Sequence, residues 1–153
     1  MMRLGQRAVA AVEFAIAAPV LLILLGGAAD FGIVNYSRAA LANAVASGAQ
    51  YAYLTGTGVT ASNVRTLVQT TSYLSGATAT VTGPNCDCVT GATPTMTLMT
   101  AGVCAPTPPT CTDGSTAGTY IIVSATYSYT AILGGYAYPA SFNMTEAATM
   151  RLQ

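Results

Sequence analysis

Between Arg7 and Asp30 the chain carries one charge, Glu13, among Ala, Val, Ile, Leu, Phe, Gly and a single proline, Pro19. A membrane crossing needs roughly 20 mostly apolar residues, and 9–29 supplies a stretch of that length. A carboxylate inside such a span costs roughly 2.5–3.5 kcal/mol even on the lenient insertion scale, so it generally has a partner and a task. Glu13 is therefore the most informative residue in the sequence. The helical pattern continues beyond the span to Tyr53. Phe31, Val34, Leu41, Val45 and Ala49 recur at three-, four- and seven-residue steps and predict one apolar face, interrupted by Arg38. Ala39, Ala40, Ala42, Ala44 and Ala46 favour helix. Thr55-Gly56-Thr57-Gly58 should end it near Leu54. Pro19 should kink the helix or leave one backbone carbonyl unpaired, which a membrane bundle tolerates.

Arg3 and Arg7 precede the apolar run, and positive residues stay on the cytoplasmic side. The expected layout is a cytoplasmic leader over 1–8, a transmembrane helix over 9–29, its extension over 30–54, and an extracytoplasmic α+β domain over 55–153. A secretory signal peptide is the rival. Gly27-Ala28-Ala29 would then precede a cut before Asp30, releasing a secreted, disulfide-stapled surface module. Glu13 argues against it, since a signal peptide only needs to be apolar.

Composition closes off several functions. The chain has no His and no Lys. Ser-His and Cys-His nucleophile pairs, His-ligated metals, Schiff-base chemistry and a Walker lysine are excluded. Five Arg against five acids leave no basic footprint for nucleic acid. No cofactor or metal is expected, and no enzyme. The four cysteines, Cys86, Cys88, Cys104 and Cys111, lack the paired Cys-x-x-Cys spacing of a zinc site. Beyond a membrane segment they are expected as disulfides. A bridge from Cys86 to Cys88 is the least expected, because so small a ring is strained; each is expected to join one of Cys104 and Cys111.

In the body, 61–73 should form a second helix, capped by Ser62, with Val64, Leu67, Val68 and Leu74 on one face. Strands are expected at 77–82, 95–100, 120–130 and 141–152, with 120–130 the strongest. Gly83-Pro84-Asn85 and Gly134-Gly135 read as turns, and 101–119 as a long loop needing a staple. Sequential strands joined by turns predict an antiparallel meander with the long helix across one face.

Three groups are candidate sites. Glu13 reads as a carboxylate awaiting a positive partner, for which a newly exposed α-amine on a neighbouring subunit would serve. Asp30 and Arg38 read as anchors where the helix leaves the headgroups, or else as subunit-pairing charges. Asn85, Asp87 and Asp113 lack any regular calcium spacing and read as solvated loop residues. Tyr127, Tyr129, Tyr136 and Tyr138 are expected to cover the sheet.

Ala8 to Phe14, Pro19 with its Leu-rich run, Asp30-Phe31-Gly32, Tyr36, Arg38, Ala40-Leu41, Asn43-Ala44 and Gly48-Ala49 together resemble the TadE-like pseudopilins of the bacterial tight-adherence (Flp-type) pilus machinery. The resemblance covers about the first third of the chain. It implies a pilin-like α+β fold, with a long transmembrane helix packed on a small antiparallel sheet. It also implies a single-pass inner-membrane protein with a periplasmic domain, and cleavage by a prepilin peptidase. The family's glutamate lies fifth in the mature chain, which here places the cut between Ala8 and Val9. The family usually has Gly where this chain has Ala8. Glu13 and Phe14 then become the assembly contact with other pilins and pseudopilins, through the N-terminal helix.

Overall fold

The computed structural model describes residues 4–90, 97–135 and 139–152. The first element, α1, is a continuous helix over Leu4–Thr55 with Pro19 inside it. Lacking an N–H, Pro19 leaves the carbonyl of Ala15 without its intrahelical donor, but the helix does not break there. A 3-10 turn, Gly56–Gly58, ends α1 where the Thr-Gly repeat was expected to. The second helix, α2, spans Ala61–Thr71. Its cap position is Thr60 rather than Ser62, and Thr60 makes no side-chain capping bond. Four strands follow: β1 (Thr78–Thr90), β2 (Thr97–Gly102), β3 (Gly118–Thr130) and β4 (Ser141–Arg151). The architecture is α+β, with a long apolar helix and one antiparallel sheet.

The strand order is β2-β1-β3-β4, so the expected simple meander is corrected. After β2 the chain crosses back over β1 and β3 pairs with β1. The length of β1 allows this. Residues 86–90 pair with β2, and 78–82 and 85–87 pair with β3. The expected turn at Gly83-Pro84-Asn85 is also corrected: it lies inside β1. Thr82 faces Ile122 and Asn85 faces Tyr120, so Gly83 and Pro84 together oppose Ile121 alone. This two-against-one register is a β-bulge. Pro84 has no N–H for the ladder, and Gly83 adopts a φ of 107° that favours glycine. A Cβ at Gly83 would also sit 2.6 Å from the Tyr120 carbonyl oxygen. The expected strand at 95–100 is observed from Thr97, its first two residues lying outside the described ones.

The chain divides into two compact units. One holds α1 up to Ser37 together with Tyr129–Phe142; the other holds Arg38–Ser128 and Asn143–Gln153. In the second, Leu41, Ala44, Val45, Ala49 and Ala52 of α1 are buried with Val64 and Val68 of α2, and with Ile121, Val123 and Ala125 of β3. Gly48 is the point of closest approach, since a Cβ there would collide with Val68 and lie 3.4 Å from Val123 and Val64. Leu67 and Leu74 are half-buried at the edge of this core.

A smaller apolar cluster forms around the cysteines, with Ala117 buried among Cys86 and Cys111. Disulfides join Cys86 to Cys104 and Cys88 to Cys111. Both start from β1 and reach the 103–117 loop, which carries the chain from the sheet edge back to its middle. Closing a loop of 23 residues, as Cys88–Cys111 does, stabilises by roughly 3 kcal/mol through the unfolded state. Protein from an oxidising compartment should show no alkylatable thiol, and Cys88→Ser with Cys111→Ser should unfold about 3 kcal/mol more easily in denaturant. Equal stability of the variant would contradict the staple.

Candidate functional site: an uncovered helix and a buried carboxylate

The most apolar part of α1 is not covered by the rest of the chain. Val12, Phe14, Ile16, Leu22, Leu24 and Leu25 are all more than half exposed. Glu13 projects from this surface and is exposed as well. Phe14, at 69% exposure, stands beside it. Val9 is exposed; Ala8 lies within the helical backbone, and its side chain is outside the described ones. The Ala8-Val9 bond and the Glu13-Phe14 pair thus lie on one continuous helix.

Asp30 stands where α1 leaves the apolar run. It is 5% exposed and turned into its own unit. Its Oδ1 accepts a hydrogen bond from the Tyr129 hydroxyl at 2.7 Å and another from the Ile132 amide at 2.8 Å. Its Oδ2 accepts from the Leu133 amide at 3.1 Å. The Ile132 amide above all holds its carboxyl below the usual carboxylate range; burial opposes this, and the Tyr129 hydroxyl and Leu133 amide reinforce it. The carboxylate thereby ties the 129–133 segment to α1. Helix geometry explains the position: Asp30 to Leu41 is eleven residues, about three turns, so Asp30 aligns with the buried row. Phe31 lies about 100° further round. It is 74% exposed, which corrects its expected place on the apolar face.

Arg38 is matched within the second unit, where its Nε lies 2.8 Å from Glu146 Oε1 on β4. With Arg38 68% exposed, such a pair contributes roughly 0–1 kcal/mol. Asp30 and Arg38 are therefore not brought together, and each has a partner in this chain. Asp113 is engaged locally: the Ser115 hydroxyl and amide donate to its Oδ1 and hold its carboxyl low. Asp87 is buried in β1. Among the described residues no group of His, Cys, Asp or Glu is arranged to hold a metal ion. Tyr129 is buried and Tyr127 half-buried on β3, while Tyr136 and Tyr138 lie outside the described residues. Sequence reasoning missed Tyr129, Ile132, Leu133 and Glu146 as partners. The signal for Glu146 was present, since it is the sole acid in the last strand. Two backbone amides have no signature in sequence.

An uncovered helix of membrane length, joined to an α+β body with two disulfides, fits membrane anchoring. The family model of TadE-like proteins matches residues 8–50. That region contains Glu13, Asp30 and Arg38, and the match agrees with the resemblance carried by the sequence. That family is one of pilus components. No curated protein and no solved structure matches the chain.

The Asp30 geometry makes a specific forecast. Asp30→Asn keeps one acceptor oxygen but turns an amide N–H₂ toward the Leu133 N–H, setting donor against donor. Hydrogen exchange should quicken by about tenfold or more at Leu133, and less at Ile132. In the unaltered chain the folded pKa is the lower one. The carboxylate's contribution is thus fully present above its unfolded value and disappears as pH falls through the folded value. Unchanged exchange at Leu133 in Asp30→Asn would show that the carboxylate does not hold this segment.

Proposed function

We propose that this chain is a minor pseudopilin-like assembly subunit of a tight-adherence pilus system. The observation that carries the reading is the coincidence of the 8–50 family match with a lone carboxylate, Glu13, on the uncovered apolar part of α1. Residues 1–8 are a leader on the cytoplasmic side of the inner membrane, 9–29 cross it, 30–54 extend the helix, and 55–153 form a periplasmic domain. A prepilin peptidase cuts between Ala8 and Val9, leaving Glu13 fifth in the mature chain. Ala8 is small enough to stand where the family usually has Gly.

Function is then lateral assembly. Helices of other pilins and pseudopilins pack against α1, where small residues permit close approach; Ala28 is exposed, whereas Gly26 is occupied by Leu133 of this chain. Glu13 sets axial register by pairing with the α-amine of a neighbour, which lowers the penalty of holding a carboxylate in lipid. Removing that carboxylate should leave insertion intact and abolish partnership. Glu13→Ala should fractionate with membranes as the unaltered chain does, yet fail to co-purify with the pilus machinery; Glu13→Gln should give an intermediate yield. Undiminished co-purification of Glu13→Ala would rule out Glu13 as the assembly contact.

A further inference from the structure

The segment that Asp30 clips to α1 is itself apolar. Between Asp113 and Glu146 the sequence carries no charge. Within that stretch, Ala131-Ile132-Leu133-Gly134-Gly135 turns the chain between β3 and β4. The Ala131 amide donates to Ala140 and the Gly134 amide to Ala131, so the turn is internally hydrogen-bonded. The Ile132 and Leu133 amides are satisfied by Asp30. With those donors paired, the turn offers side chains rather than bare N–H groups to its surroundings. Leu133 packs over Gly26: a Cβ added at Gly26 would lie 2.6 Å from Leu133 Cδ1. Gly26 is one helical turn inside the 9–29 span, about 6 Å along the axis from Asp30. Ile132, next to Leu133, is 65% exposed. On the same unit Gly27, Phe31, Val34 and Phe142 line an apolar recess of about 100 Å³ with Asp30.

We infer that the 131–135 turn is a second membrane contact, dipping into the outer edge of the bilayer beside the transmembrane helix, with Ile132 facing lipid. Three observations combine to favour a lipid surface. The turn is contiguous with the membrane anchor, because Leu133 reaches the level of Gly26. It carries no charge, so it can enter the interface without the penalty a Lys or Asp would bring. Its amides from Ala131 to Gly134 are paired, which an apolar environment demands. Asp30 acquires a role in this arrangement: it is a positioning residue that fixes the depth of the turn, shielded from lipid by its own three donors. The inference rests on 9–29 being embedded, and the test separates the two.

The chain has no tryptophan, so one introduced residue reports alone. Ile132→Trp, Leu22→Trp and Thr70→Trp would each be made in the full chain and reconstituted into phosphatidylcholine vesicles with or without brominated acyl chains. All three positions are exposed, and correct folding is checked by mapping both disulfides. Bromolipid should quench Ile132→Trp at least half as strongly as Leu22→Trp and leave Thr70→Trp unaffected, and the Ile132→Trp emission should be blue-shifted. Adding Asp30→Asn to Ile132→Trp should weaken the quenching, and undiminished quenching would overturn the positioning role of Asp30. Quenching of Leu22→Trp without Ile132→Trp would overturn the inference and leave the membrane helix standing. A blue shift of Ile132→Trp only when other pilus components are added would assign the turn to a protein partner instead. Absence of quenching at Leu22→Trp would overturn the embedded helix, and the inference with it.

Discussion

An apolar surface with nothing over it has to be solvated by something other than water. That constraint governs this molecule. Full burial of one Leu or Ile side chain is favourable by roughly 1.5–3 kcal/mol, and α1 displays a long succession of them uncovered between Val9 and Leu25. A lipid bilayer is a surrounding that fits such a surface. The remaining design follows from joining that helix to a domain that lives in water. The helix runs on without a break to Thr55, so one element serves both solvents. Its buried row changes character along the way, from Asp30 and Ser37 to Leu41, Ala44, Val45 and Ala49.

The body solves a different problem. It has few charges and a modest core, and it must hold a long, irregular connection between β2 and β3. Both disulfides leave from β1, which pairs on both sides. Cross-linking is concentrated where the loop must be tied to the centre of the sheet. The bulge at Gly83-Pro84 shifts the register with β3 just before the part of β1 that also pairs with β2.

Much of this was legible in the sequence, and the reasons for the exceptions are physical. The helix from the leader to the Thr-Gly repeat, the second helix and the Tyr120–Thr130 strand follow from strong periodicity and propensity. The pairing of β1 with β3 does not, because sheet order depends on long-range contacts that turn residues do not encode. Gly83-Pro84 carries the chemistry of a turn and of a bulge alike, and only the partner strand decides between them. Asp30 was visible as a charge at a helix exit, but its burial was not, since two of its three donors are backbone amides. Phe31 was grouped with the buried row because it is apolar, although helical angle places it off that row. Glu13 stood out from sequence because its cost in lipid is independent of how the body folds.

The account depends on α1 remaining part of the working protein, trimmed only at its leader. The mature N-terminus of the chain isolated from its native membrane tests this most directly. N-terminal sequencing or intact mass should give Val9 as the first residue, leaving Glu13 fifth and the Asp30 carboxylate inside the helix. A chain beginning at Asp30 would contradict the account. It would mean that a signal peptidase discards the apolar helix and releases the body as a secreted module.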